Sequence, residues 1–108
     1  MTNDVMTKRV PVTGSEWGFL DVRLYYSLGG MNVWHYVKEP RGYYLSVTPA
    51  KSDRPGVVCC SPMEGTKTCV LEVSRKSEKG AARALDRIDE VLPDLIAAVC
   101  SRIGAKVA

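Results

Sequence analysis

Four cysteines and one histidine are among the residues of this chain whose side chains could support catalysis or bind a metal. Cys59 and Cys60 are adjacent, whereas Cys69 and Cys100 lie inside apolar runs. The absence of a Cys-x-x-Cys pair and the single histidine, His35, disfavour a zinc site. A cysteine nucleophile with His35 as its base is one alternative. Because free cysteines usually behave as small buried hydrophobes, we expect four reduced thiols and no catalytic residue, metal or cofactor.

No catalytic motif accompanies these residues in the sequence. There is no phosphate-binding loop ending in Lys-Ser or Lys-Thr, no Gly-x-Ser-x-Gly turn and no zinc-protease helix pair. The one glycine pair, Gly29-Gly30, is typical of a hairpin connection and lacks the spacing of a nucleotide-binding loop. We therefore predict a binding module that is not an enzyme.

All eight aromatic residues lie between Trp17 and Tyr44. Rings that the core does not need are expected on an open face of the sheet, close to basic side chains. Such a face is typical of single-stranded nucleic-acid binding, because bases stack on the rings and Lys or Arg contacts the phosphates. The predicted interface has three stacking residues and three phosphate-binding residues: Trp34, Tyr36 and Tyr44, with Arg23, Lys38 and Arg41.

The aromatic residues have two further interpretations. Aromatic side chains are good strand formers that stabilise cross-strand pairs, and Tyr and Trp are also enriched where a partner covers a surface. The alternative function is therefore protein–protein interaction or homodimerisation, as in a small regulatory protein of the kind carried by mobile elements. The candidate partners are single-stranded DNA or RNA, another protein, and a second copy of the chain in a homodimer.

Charge and hydropathy restrict the class of protein. The 108 residues carry a formal net charge of +3, with eight basic and seven acidic residues in positions 1–74 and seven basic and five acidic residues in positions 75–108. Because this excess is small and evenly spread along the chain, it does not by itself indicate a nucleic-acid partner. The sequence contains neither an apolar run of membrane-spanning length nor a visible export signal, so we expect a cytoplasmic protein with no membrane contact.

Strands are predicted over residues 19–26, 33–37, 43–48, 57–60 and 67–73, from alternation of apolar and polar residues in 19–26 and 43–48 and from a short apolar run in 57–60. In the last of these, Cys69, Leu71 and Val73 are predicted to face inward. The apolar residues expected beneath the helix are Leu20, Val22, Leu24, Leu45, Val47, Leu71 and Val73. Short connections between consecutive strands favour antiparallel pairing.

The apolar period changes to 3.6 after Ser74, which predicts a long helix. Ser77 has the side chain of an N-cap, and Gly104 is a suitable stop. Pro93 lies inside the helix and is expected to kink it. The apolar stripe comprises Ala81, Ala84, Leu85, Ile88, Val91, Leu92, Leu95, Ile96, Val99 and Ile103.

The predicted fold is α+β, an antiparallel meander of four to five strands followed by one long C-terminal helix packed on one sheet face. Residues 1–15 are expected to form a flexible or partly extended arm, and residues 16–108 a single domain. In element order the chain resembles small single-strand-binding modules, in which a curved four-stranded sheet precedes one long helix. That resemblance implies a dimer formed through the helix.

Overall fold

The computed structural model describes residues 4–32, 37–51 and 66–108 and confirms the predicted α+β fold. Its elements are β1 (Asp4–Thr13), β2 (Phe19–Ser27), β3 (Gly30–Asn32), β4 (Val37–Glu39), β5 (Gly42–Ala50), β6 (Lys67–Val73), α1 (Glu78–Ile103) and β7 (Lys106–Val107). Five of the described strands form an antiparallel sheet in the order β6-β5-β2-β1-β7, and α1 packs against one of its faces.

Most of the segment predicted as an N-terminal arm is a strand. β1 pairs with β2 from Asp4 to Pro11 and contributes Val12, which is only 6% exposed, to the core. Pro11 is tolerated because its carbonyl accepts a bond from Ala108 N on the β7 side of the strand. In an antiparallel strand the N–H and C=O of one residue point to the same side, so the N–H that Pro11 lacks would have pointed towards β7. The pairing of β1 with β2 is therefore not interrupted.

The helix-facing side of β2 and β5 follows the predicted alternation. Leu20, Val22 and Leu24 of β2 are at most 1% exposed, and Leu45 and Val47 of β5 are fully buried. Direct pairing of β2 with β5 brings these apolar side chains together in one layer beneath α1. Burial of this layer against α1 contributes hydrophobic stabilisation that holds the helix on the sheet.

The prediction that Val73 faces inward is wrong. Leu71 is 1% exposed as predicted, but Val73 is 61% exposed. The reason is a register shift between β5 and β6, where Tyr43 pairs with Glu72 and Tyr44 pairs with Val70, so Leu71 is an extra residue. Such a bulge reverses the alternation beyond it, and apolar spacing alone did not reveal it.

The ends of α1 are those that the sequence predicts. The Ser77 side chain accepts a bond from Gly80 N at 3.0 Å, and Gly104 adopts a left-handed conformation with φ of 70°. The helix continues through Pro93, and a kink there stays a prediction. The apolar stripe packs on the sheet except at Leu85, which is 45% exposed.

A second, two-stranded sheet interrupts the meander. β2 pairs directly with β5, and β3 and β4 pair with each other as a separate hairpin in the segment between them. Of the predicted strand over residues 33–37, only Val37 is described, and it begins β4. The predicted strand over residues 57–60 lies outside the described residues. In the described part of the chain, no helix is long and apolar enough to cross a membrane.

Candidate nucleic-acid interface

Arg23, the first of the predicted phosphate-binding residues, lies on the sheet face opposite α1. Its Nε donates to Asp4 Oδ1 at 2.6 Å, and its guanidinium lies 4.5 Å from the centre of the Tyr25 ring. We call this side of the sheet the outer face; it includes Arg9, Asp21, Arg23, Tyr25 and Tyr44. The positive charge of Arg23 is therefore balanced by a carboxylate and a ring of the same sheet.

Tyr44, a predicted base-stacking residue, lies on the outer face but is 5% exposed. Its ring stacks against Tyr25, with centroids 6.0 Å apart and planes 22° apart. Its hydroxyl donates to Pro40 O at 2.6 Å. Since stacking on a base needs an accessible ring face, a ring this deeply buried cannot act as a platform without rearrangement.

Two further cations, Arg9 of β1 and Lys51 directly after β5, repeat the arrangement of Arg23. Each contacts both an aromatic ring, 4.8 Å from its centroid, and a carboxylate: Arg9 with Phe19 and Asp21, and Lys51 with Trp17 and Glu16. The Arg9 guanidinium contacts both carboxylate oxygens of Asp21, at 2.7 and 3.2 Å. On this part of the molecule, rings and cations that could bind a nucleic acid instead bind one another.

The tyrosine hydroxyls of the outer face stay protonated through the neutral range. Burial raises the pKa of Tyr25, an effect that Arg23 opposes and the carboxylate of Glu39 reinforces. Burial also raises the pKa of Tyr44, and Glu39 adds to the rise. Both hydroxyls can therefore act as hydrogen-bond donors, and neither supplies a phenolate near neutral pH.

A different arrangement exists where the turn before β5 meets the loop before α1. Ser74 N donates to Arg41 O at 3.1 Å, which brings residues 37–42 and 74–80 together. We call these two segments the basic corner. They carry five basic and two acidic side chains: Lys38, Arg41, Arg75, Lys76 and Lys79, with Glu39 and Glu78.

Four cations of the basic corner are exposed and form no ion pair with any described residue: Lys38, Arg41, Arg75 and Lys79. The corner's excess of three positive charges equals the net charge of the protein. The ten basic and ten acidic residues in the rest of the chain cancel. The Ser74–Arg41 bond thus brings together two segments that are distant in sequence and that share an excess of three positive charges.

Buried contacts hold the two segments of the corner in place. Tyr43 is 2% exposed, and its hydroxyl donates to Ser77 O at 2.9 Å while accepting from Ser77 N at 3.0 Å. Gly80 lies against the same ring, where a Cβ would be 2.9 Å from Tyr43 Cε2. Gly42 approaches β6 so closely that a Cβ would overlap the carbonyl oxygen of Glu72. The loop that carries Arg75 is thus attached to the sheet by fixed backbone positions.

The structure divides the six predicted interface residues into groups. Arg23 and Tyr44 lie on the outer face, and Lys38 and Arg41 lie in the basic corner. The two regions meet where Tyr44 bonds to Pro40. Trp34 and Tyr36 lie outside the described residues.

Sequence reasoning missed the basic residues beside the start of α1, which are Arg75, Lys76 and Lys79. They occur within five residues of one another, a signal weakened by the intervening Glu78 and by the even charge balance of the chain. Their importance depends on Arg41, more than thirty residues away in sequence, and only the fold reveals that proximity.

The two described cysteines are poorly accessible to solvent. Cys69 is half-buried and Cys100 is buried, and both are free thiols. Burial raises the pKa of Cys69, although Arg87 opposes the rise. A thiol with a raised pKa is a poor nucleophile near neutral pH. Among the described residues, no cluster of three or more His, Cys, Asp or Glu side chains is placed to hold a metal ion.

Comparison with known proteins identifies no relative. No protein-family model, curated protein or solved structure matches the chain.

Proposed function

We propose that this protein is a non-enzymatic module that binds single-stranded nucleic acid, with phosphates contacted at the basic corner. The observation that carries the proposal is that residues 37–42 and 74–80, with five basic and only two acidic side chains, are held together by the Ser74–Arg41 bond. Lys38 and Arg41, which the sequence analysis selected, are joined there by Arg75, Lys76 and Lys79.

Exposed cations without an intramolecular partner are suited to phosphate binding. A cation that already pairs with a carboxylate must give up that contact to bind a phosphate, as Arg23 would with Asp4. Lys38, Arg41, Arg75 and Lys79 have no such contact with a described residue to lose. Their phosphate contacts would release counterions from the nucleic acid, which favours binding at low salt.

The preference for single strands depends on stacking by Trp34 and Tyr36. In the chain these residues lie between β3 and β4, and β4 is itself part of the basic corner. One or two bases stacked there would add about 1 to 3 kcal/mol each and would favour unpaired nucleotides. With Tyr44 buried, these two residues are the stacking candidates that stay in the proposal.

A salt titration tests the proposal. A labelled single-stranded oligonucleotide of mixed sequence should bind at low salt, and log affinity should fall linearly with log salt concentration. The matching duplex should bind more weakly, and Trp34→Ala should reduce the difference between the two. Failure of the single strand to bind at low salt would contradict the proposal, as would stronger binding of the duplex.

Protein–protein interaction is the second candidate, and it has a separate observation in its favour. Leu28, Met31 and Val73 are 71%, 63% and 61% exposed. Register connects them to the same end of the molecule, since Met31 pairs with Lys38 and Val73 pairs with Gly42. Exposed apolar side chains next to charged ones are typical of interaction surfaces.

Light scattering separates self-association from the other possibilities. If the exposed apolar residues form a homodimer, the mass should double with rising concentration, and Val73→Ser should oppose the change. A monomer at all concentrations, combined with salt-dependent oligonucleotide binding, would leave nucleic-acid binding as the function.

A further inference from the structure

One edge of the sheet is largely unpaired among the described residues. β7 pairs with β1 only at Val12 and Thr13, with one further bond from Ala108 N to Pro11 O. No described strand pairs with the remainder of this edge, residues 4–10 of β1. A strand edge of this kind presents backbone groups that another strand can bind.

The direction of the unpaired groups follows from the bonds around Pro11. Pro11 O faces β7, and Val12 N donates to Gly18 O at 3.0 Å on the β2 side. Successive residues of an antiparallel strand alternate in the side to which they bond, and β1 has no register shift between Met6 and Pro11. The N–H and C=O of Thr7 therefore point to the same side as Pro11 O, away from β2.

A groove lies beside this edge, between β1 and α1. It has a volume of about 590 Å³, and its lining includes Leu92, Pro93, Ile96, Val107 and, at opposite walls, Lys8 and Asp89. Val107 of β7 pairs with buried Val12, so its side chain lies on the helix side of the sheet. A strand that continued along the path of β7 would direct every second side chain into the groove.

We infer that the edge of β1 and the groove beside it bind an extended segment of a partner protein, antiparallel to β1. The segment would bond to Thr7 through its backbone and place aliphatic side chains opposite Val10, Lys8 and Met6. This mode of recognition obtains affinity from main-chain bonds and specificity from pockets for alternate side chains. It uses a surface separate from the basic corner and does not depend on nucleic-acid binding.

Lys8 argues against a second copy of the chain as the occupant. Lys8 is exposed and forms no ion pair with any described residue. Pairing of two β1 edges about a two-fold axis would place two uncompensated Lys8 side chains in one seam. Lysines on edge strands commonly oppose such self-pairing. A peptide whose residues opposite Met6, Lys8 and Val10 are all aliphatic meets no such repulsion, because none of its charged side chains faces Lys8.

The experiment uses an acetylated and amidated peptide of sequence Val-Ser-Val-Lys-Val as the probe. Hydrogen exchange by NMR should show slower exchange of the Thr7 amide on peptide addition. Thr7→Pro removes that N–H without removing a bond to β2, so it should abolish binding, whereas Thr7→Val should not. Ala97→Glu places a charge in the groove lining and should weaken binding by about tenfold or more.

The matched control is Ala98→Glu, at an exposed position of α1 that is not part of the lining. It should bind the probe as the unsubstituted protein does. Equal binding of a Ser-Ser-Ser-Lys-Ser peptide, or no binding of the valine peptide at millimolar concentration, would overturn the inference. If exchange of the Thr7 amide slows as the protein concentration rises in the absence of peptide, the edge of β1 pairs with a second copy of the chain, and the inference is overturned.

Discussion

The outer face and the basic corner both carry basic side chains, but these side chains differ in whether they have partners within the protein. On the outer face Arg9 and Arg23 each contact a ring and a carboxylate, and Lys51, directly after β5, does the same. In the basic corner, Arg41 and Arg75 are exposed and form no ion pair with a described residue. Rings and cations that are close in the sequence therefore do not by themselves locate a binding surface, because in the folded sheet they can contact one another and nearby carboxylates.

Residues of the outer face should therefore contribute mainly to the stability of the fold, and exposed cations of the basic corner mainly to ligand binding. Contacts on the outer face connect neighbouring strands, as when Arg9 of β1 bonds to Asp21 of β2, so their loss should lower stability. Exposed cations of the corner repel one another weakly in the free protein and are available to a polyanion. Substitutions in the two regions should separate stability from binding.

The largest stability effect should come from Gly42, which fixes the approach of the corner to β6. Gly42→Ala would force a Cβ into the Glu72 carbonyl, and we expect a loss of about 2 to 4 kcal/mol. Urea denaturation measures this change. Gly18→Ala is the control, since a Cβ there meets no atom within 4 Å. Equal stability of the two variants would show that the corner is not held by this close contact.

Tyr43→Phe should have the next largest effect. It removes the hydroxyl that both donates to and accepts from Ser77, and we expect a loss of about 1 to 2 kcal/mol. Oligonucleotide affinity should fall as well, because the loop carrying Arg75 is no longer fixed to the sheet. Unchanged stability would contradict the assignment of Tyr43 as the anchor of the corner.

Arg23→Gln should change stability by less than about 1 kcal/mol, since its ion pair with Asp4 is partly exposed. Its effect on oligonucleotide affinity and on the salt dependence should be negligible, which is the opposite of the pattern expected in the corner. A loss of affinity comparable to that of a corner substitution would return Arg23 to the interface and remove the contrast between the two regions.

A smaller loss of stability should appear at alkaline pH, when Tyr44 of the outer face loses its proton. Burial raises the pKa of Tyr44, with Glu39 adding to the rise, so the unfolded chain loses the proton first. The protonated Tyr44 hydroxyl contributes its full share to the free energy of unfolding below about pH 10, and this contribution should be lost as the pH rises through the pKa of Tyr44 in the folded protein. Denaturation at a series of alkaline pH values measures the loss, and Tyr44→Phe should flatten it. A stability that increases above pH 10 would contradict this sign.

The sequence predicts those parts of the fold that depend on local pattern. Alternation located β2 and its buried residues, and the Ser77 cap located the start of α1. β1 was not predicted, because Lys8, Arg9 and Pro11 obscure its alternation; Arg9 is balanced by Asp21, which only strand pairing brings near. The exposure of Val73 depends on a bulge that leaves no mark in residue spacing.

The candidate site was predicted only in part, for a related reason. Lys38 and Arg41 could be selected from composition, but Arg75 became relevant only when the Ser74–Arg41 bond brought the two segments together. Tyr44 was assigned correctly to the face opposite α1, yet its burial depends on Tyr25 and Pro40. Partners that are distant in sequence decide whether a surface residue is available.

The central claim is that phosphates bind at the basic corner. Its most direct test compares two triple variants that remove equal charge: Arg41→Gln, Arg75→Gln and Lys79→Gln in the corner, and Lys67→Gln, Arg102→Gln and Lys106→Gln elsewhere. None of these six residues forms an ion pair with a described residue. Oligonucleotide affinity is measured over a range of salt concentrations for both variants and the unsubstituted protein.

The corner variant should lose affinity on the order of 100-fold at low salt, and its slope of log affinity against log salt should fall by about 2. The other variant should lose much less, because the same charge is removed away from the phosphates. Equal losses in the two variants would show that binding responds only to net charge, and would contradict a phosphate site at the basic corner.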